Sequence, residues 1–118
     1  MNTNNFRLIK IWSSRTGAMV EVFKEHEKAI NDLLVVDNYL ISCSEDMYVI
    51  IWDTDKLEIV KTLKFDEPIQ RVVIYEKSVQ IKNTQLSRNY KVIIASSQSG
   101  TNYMFDLHAV LNAARKSN

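Results

Sequence analysis

The chain has 118 residues, of which 46% are hydrophobic and 25% charged, which is ordinary globular composition and enough for one modest domain with its own core. Its formal net charge of +1 argues against a protein whose main work is coating nucleic acid or an anionic membrane. The single cysteine, Cys43, excludes an internal disulfide and fits a reducing compartment, cytoplasm or nucleus.

Residues 1–5 do not resemble a signal peptide, and no apolar run approaches the roughly eighteen residues that cross a bilayer, so a soluble intracellular protein is expected. Residues 7–12 alternate Leu8 with Lys10 and Ile9 with Ile11, which predicts a strand; a polar turn at 13–17 and a second strand at 18–23 complete a hairpin. A polar connection, 24–28, carries His26. Residues 29–36 could pass for a helical stripe, but the stretch is short, ends in Val35-Val36 and is bounded by Asp37-Asn38, which favours a strand. Strands at 39–44, 48–52 and 57–63 follow at hairpin spacing. The run Tyr48-Val-Ile-Ile-Trp52 is continuously apolar, so both of its faces require cover. Cys43 lies within such an apolar strand and is expected to be a small buried thiol.

Residues 69–75 predict another strand, 76–89 a polar insertion with no clear pattern beyond Val79 and Ile81, and 90–96 and 101–105 the last two strands. Leu107, Val110, Leu111 and Ala114 then recur at i, i+3, i+4 and i+7, predicting a short helix with Asp106 as N-cap and Arg115 and Lys116 in its last turn. Two glycines and one proline are few for an all-β chain; Asp37-Asn38, residues 53–55 and Asn83 take over the turns. One stretch is unbalanced in charge. Arg71, Lys77, Lys82, Arg88 and Lys91 are opposed over that span only by Glu76, either as a solvated surface or as a patch for an acidic or phosphorylated partner.

The segment Leu40-Ile-Ser-Cys-Ser-Glu-Asp-Met-Tyr-Val-Ile-Ile-Trp52-Asp53, with Glu25-His26 ahead of it, has two weaker echoes ending in Trp12-Ser13 and Phe105-Asp106. Trp12 and Trp52 are forty residues apart, and Trp52 and Phe105 fifty-three, the excess falling in 76–89. A period near forty signals units that cannot bury their own faces and must stack on neighbours. The pattern resembles the blades of WD-repeat (WD40) β-propellers. The resemblance implies an all-β fold of consecutive four-stranded antiparallel blades of an incomplete propeller with a short C-terminal helix: 6–26 the end of one blade, 27–65 a complete blade, 66–106 a partial blade, and 107–118 a helix and tail.

The resemblance also implies a hydrogen-bonded structural tetrad of His26, Ser42, Asp46 and Trp52, with Ser44 as an alternative on the same strand face. In the final repeat Ser99 takes the Asp position, Phe105 the Trp position and Asp66-Glu67 the Gly-His position, so that layer is expected to be held by apolar packing alone. Ser, His and Asp are also the parts of a nucleophilic triad, but Ser42 and Ser44 sit mid-strand without a Gly-rich oxyanion turn nearby. Only His26 and His108 accompany the one cysteine, so no zinc-ligand spacing arises; there is no phosphate-cradling glycine loop, and no cofactor is expected.

About two and a half blades fall short of the four to eight that close a ring. The chain is therefore expected to be the C-terminal part of a longer propeller (Met1 then being an internal boundary), to associate with its own copies, or to complete another chain's open propeller. The implied function is a non-catalytic protein–protein interaction scaffold for multi-protein assembly. Its partners would be other proteins, with no membrane and no nucleic acid. Partner contacts are expected at turns and strand entries: Glu25, Lys28, Asp37, Glu45, Met47, Asp66, Glu67 and Lys82. Two alternatives stand beside it. Trp12-Ser-Ser-Arg15 loosely resembles the Trp-Asp-x-Arg sequence of WD-repeat substrate receptors of ubiquitin ligases, and Ser42 with His26 and Asp46 leaves a small serine hydrolase as a reading of another class.

Overall fold

The structure is a computed structural model and describes residues 6–116; Met1–Asn5, the tail residues Ser117 and Asn118, and the side chains of Arg115 and Lys116 lie outside what it describes. Nine strands run in chain order: β1 Ile9–Trp12, β2 Met19–Phe23, β3 Ile30–Val36, β4 Tyr39–Ser44, β5 Tyr48–Asp53, β6 Glu58–Lys64, β7 Ile69–Gln80, β8 Ser87–Ser97 and β9 Asn102–Asp106, followed by one helix, α1 Leu107–Lys116. Every pairing is antiparallel and between sequence neighbours, giving a first sheet β1-β2, a second β3-β4-β5-β6 and a third β7-β8-β9. The three sheets stack as layers and form no closed barrel among the described residues. This is the all-β architecture of consecutive antiparallel layers with a short C-terminal helix that the sequence pattern predicts.

The second sheet is the buried one. Ile41, Cys43, Val49 and Ile51 face the third sheet, where Ile69, Val72, Ile93 and Ala95 meet them and Leu107 and Leu111 of α1 close the end. Leu40, Ile50 and Trp52 point the other way, onto Ile9 and Phe23 of the first sheet. That double cover explains the unbroken apolar run in β5, whose four central residues are all buried. Asp106 caps α1 by accepting the Ala109 N–H (3.0 Å), as its position predicts.

Turns are closed with almost no glycine. Asp37, Met47, Leu57 and Asn83 all take positive φ (53°, 73°, 57° and 66°). Asp53 supports the turn that holds Leu57: its Oδ1 accepts the N–H groups of Asp55 and Lys56, and its carbonyl accepts that of Leu57.

Residues 76–89 are not the patternless insertion that their polarity suggests. They continue β7 and begin β8, paired without interruption from Arg71 opposite Ser96 to Gln80 opposite Ser87. The turn holds Asn83 in the left-handed region, and Ile81 N–H bonds to Leu86 O at 2.9 Å. Its alternation is short and broken by Lys77 and Arg88 in the apolar row, which is why periodicity missed it.

Burial sets the cost of truncation. Ile51→Ala, at a fully buried position between two sheets, is expected to lose about 2–5 kcal/mol in urea denaturation. Val35→Ala, on an exposed face, is expected to stay within about 0.5 kcal/mol of the parent.

Candidate functional site

Four elements meet at one buried polar cluster. His26 comes from the connection before β3, Ser42 from β4, Asp46 from the turn after it, and Trp52 from β5. Their exposures are 1%, 0%, 8% and 2%. Trp52 Nε1–H donates to Ser42 Oγ (3.0 Å). Ser42 Oγ lies 2.6 Å from His26 Nε2, and His26 Nδ1 lies 2.9 Å from Asp46 Oδ2. One assignment of protons satisfies all of them: Nδ1–H donates to Asp46, and Nε2 accepts the Ser42 hydroxyl. Asp46 also accepts the backbone N–H groups of Glu27 and Tyr48, both at 3.0 Å. The Trp52 ring stacks on Phe23 of the first sheet, centroids 4.1 Å apart and planes within 5°. Ser44 does other work. Its hydroxyl faces the Lys28 and Ala29 carbonyl oxygens at 3.0 and 2.8 Å, and its oxygen accepts the Asp46 N–H.

The Ser–His–Asp order has the connectivity of a nucleophilic relay. The Ser42 oxygen, however, is covered by the Trp52 indole and shut from solvent, so a substrate carbonyl cannot reach it. Burial likewise pushes the Cys43 thiol up to about 12, which suppresses the thiolate that reactivity requires.

The third sheet carries a different polar network and is not held by apolar packing alone. Its register matches the second sheet: Ser44 opposes Ile30 beside a bulge, and Ser97 opposes Ile69 beside another. Counting from there, Ala95 stands for Ser42, Ser99 for Asp46 and Phe105 for Trp52, while Phe65 stands for His26 in place of Asp66-Glu67. The donor and its acceptor have gone together, leaving no orphan. In their place Ser99 donates to Glu67 Oε1 (2.6 Å), Tyr103 to Glu67 Oε2 (3.1 Å), and Ser97 Oγ lies 3.0 Å from Ser99 Oγ. The Ser99 hydroxyl holds the Glu67 carboxyl below the usual range, while burial and then the bond to Glu67 raise the Tyr103 hydroxyl.

Of the residues expected to contact partners, three hold the protein itself together. Asp37 pairs with Lys91 at 2.6 Å, tying the second sheet to the third. Glu45 Oε1 accepts from Asn31 and Gln70 at 3.3 and 3.2 Å, again between these sheets. Glu67 belongs to the network just described. Met47 is half-buried in its turn, and Glu25, Lys28, Asp66 and Lys82 are exposed. Sequence reasoning missed Asn31, which donates to Ile69 O at 2.9 Å, and Asp32, whose Oδ2 accepts the Val72 N–H at 3.1 Å. Nothing in the sequence flags such residues, because their partners lie some forty positions away.

The outer layers leave apolar surface in water. The first sheet has two strands where the second has four, so Leu33 and Val35 of β3 stand 48% and 67% exposed. Phe6, Leu8, Ile30 and Leu33 line the resulting groove of about 420 Å³. Trp12 is 59% exposed on the far face of that sheet, and Val73 and Met104 are exposed at 44% and 65% on the far face of the third. Arg15 lies exposed in the Ser13–Gly17 turn, bound to no carboxylate among the described residues. No helix among the described residues is long and apolar enough to cross a membrane, and no group of three or more His, Cys, Asp or Glu among them is placed to hold a metal ion.

No protein-family model matches the chain. Over 98 residues, 81% of its length, it is 28% identical to the serine/threonine-protein kinase VPS15 of Arabidopsis thaliana. Over 68 residues, 56% of its length, it is 37% identical to eukaryotic translation initiation factor 3 subunit I of Danio rerio. It spans 6% and 21% of those two proteins. Among solved structures it resembles the crystal structure of the computationally designed Ika4 protein, with a TM-score of 0.51 and 17% identity, covering 84% of this chain and 79% of that one, a shared fold.

Three variants test the cluster. Trp52→Ala is expected to cost about 3–5 kcal/mol in urea denaturation, because ring burial and the Phe23 stack go together. His26→Ala is expected to cost about 1–3 kcal/mol by removing the acceptor of the buried Ser42 hydroxyl and one donor from Asp46. For Glu67 the sign follows from its lowered value: its contribution is complete above the ordinary carboxylate value of 4.5 and is lost as pH falls through the lower folded value. Thermal melts of Glu67→Gln are expected to lose that acid-side fall while matching the parent's shape at neutral pH.

Proposed function

We propose that the chain is a non-catalytic protein–protein interaction scaffold of the WD-repeat type. In this reading 6–26 is the end of one blade, 27–65 a complete blade, 66–106 a partial blade and 107–118 a helix and tail, and further layers from other chains or other copies complete the stack. One observation carries the proposal. The middle sheet is sandwiched and locked by its polar cluster, while the layers on either side present apolar faces and free strand edges. Such surface is stable only when covered. His26, Ser42, Asp46 and Trp52 serve as the structural tetrad of the complete blade, which makes the platform rigid.

Two further observations support the reading. The burial of the Ser42 oxygen under the Trp52 indole favours a structural role for it over a nucleophilic one. One of the similar proteins is by name a subunit of a larger factor, which fits assembly with other proteins. Closure by copies has a geometric constraint. Merging the two-stranded sheet of one copy with the three-stranded sheet of the next gives one strand too many for a four-stranded layer, so copies stack face to face and do not share a sheet.

Light scattering on the purified chain tests this. A mass above that of one chain is expected, lowered by Trp12→Lys together with Val73→Lys, which place charge on the two outer faces. A compact monomer indifferent to both substitutions overturns the reading. So does ester hydrolysis that Ser42→Ala abolishes without loss of fold.

A further inference from the structure

From the two-stranded ribbon that β7 and β8 extend past the third sheet, we infer that one of its faces is a docking strip for an acidic protein segment bearing alternating apolar residues. The inference deepens the interaction-platform reading by naming a surface and a class of partner. Opposed residues of an antiparallel pair share a face, so the register sorts the ribbon. Tyr75 with Val92, Lys77 with Tyr90, and Val79 with Arg88 lie on one face, and the Ile81 to Leu86 bond continues the same row to the turn. The opposite face carries Glu76 with Lys91, Ser78 with Asn89, and Gln80 with Ser87. One face is thus apolar and cationic, and the other is polar.

The row is exposed: Tyr75 53%, Val79 38%, Ile81 43%, Leu86 66%. Lys77, Arg88 and the turn residue Lys82 form no ion pair among the described residues. The one carboxylate level with its base, Asp106 opposite Val92, is occupied in capping α1. Lys91 on the other face holds Asp37 of the second sheet, which fixes the ribbon's base and leaves the row turned outward. An isolated two-stranded hairpin is marginal in water, so a ribbon with one apolar, uncompensated cationic face suits a partner that supplies apolar side chains and carboxylates together. The row from Tyr75 to Ile81 is roughly 20 Å long, the length of one short extended segment.

Two other classes of partner fit less well. A hairpin that dips into a bilayer puts bulky apolar residues at its outermost point, but here that point is Asn83, Thr84 and Gln85. Single-stranded RNA needs open aromatic faces; the Arg88 guanidinium lies 5.3 Å from the Tyr90 ring centroid, and the remaining groups of the row are mostly aliphatic.

Fluorescence anisotropy on the whole chain tests the assignment with a labelled peptide of alternating Glu and Leu, about a dozen residues long. The same peptide with Lys for Glu, vesicles of equal phosphatidylserine and phosphatidylcholine, and poly-uridine RNA serve as comparisons. The Glu-Leu peptide is expected to bind best. Lys77→Glu with Arg88→Glu is expected to weaken it by at least about tenfold, with an unchanged melting curve. Ser78→Glu with Gln80→Glu, on the other face, is expected to stay within about threefold. Equal binding of the Lys-Leu peptide, preference for vesicles or RNA, or no loss in the first double variant overturns the docking strip. Should the strip fail while light scattering still shows association through Trp12 and Val73, the platform reading survives it; loss of both removes the platform as well.

Discussion

The hydrogen bond from the Trp52 indole to the Ser42 hydroxyl is the contact around which the middle of the molecule is built. It is directional, and so is everything behind it. The serine oxygen accepts from tryptophan through a lone pair while its own proton is directed to His26, and His26 takes that proton when Asp46 holds the other ring nitrogen as the donor. Asp46 in turn accepts two backbone N–H groups, so the chain of bonds ends on the main chain at the entry to β3 and at the start of β5. In a site shut from water each link is strong, and each is costly to break alone. The cluster therefore aligns β4, β5 and the entry to β3 before any neighbouring sheet is considered. Phe23 then stacks on a ring whose orientation is already set.

The third sheet shows the same design with the parts exchanged. Removing only Trp52's counterpart would strand a hydroxyl, and removing only Ser42's would strand an indole. Phe105 and Ala95 replace both, and Phe65 replaces the histidine. Polar closure moves to the sheet's surface, where Glu67 gathers Ser99 and Tyr103. The Ser99 hydroxyl holds that carboxyl below the usual range, so the bonds of this layer weaken as pH falls through the lowered value.

Much of this was legible in the sequence, and the failures have physical reasons. Outside the β7–β8 ribbon, strand ends fell within a residue or two because turn residues such as Asp37 declare themselves locally. The doubly covered β5 was readable because burial on both faces removes alternation. The ribbon at 76–89 was not, because Lys77 and Arg88 interrupt its one apolar row and the facing row is polar throughout. Asp37, Glu45 and Glu67 read as surface residues in turns, and each is near the surface. Their bonds to Lys91, Gln70 and Ser99 depend on how sheets stack, which local pattern does not encode.

Trp12 and Trp52 make the final point about function. They close strands of the same pattern forty residues apart, yet one is 59% exposed and the other 2%. The residue type is identical, so the difference lies in the neighbours. Trp52 has β3 and β4 beside it and Phe23 above it, whereas β1 has a free edge where such strands would pair. The same missing strands uncover Leu33 and Val35 one layer away. A partner that fills this gap must therefore meet two demands at once: backbone groups to pair with β1, and apolar side chains to lie over β3. A flat apolar surface meets the second demand alone, and an extended polar peptide only the first. Added strands that extend the first sheet at β1 meet both, so the gap beside β1 asks for strand pairing, whereas the outer sheet faces ask only for apolar cover.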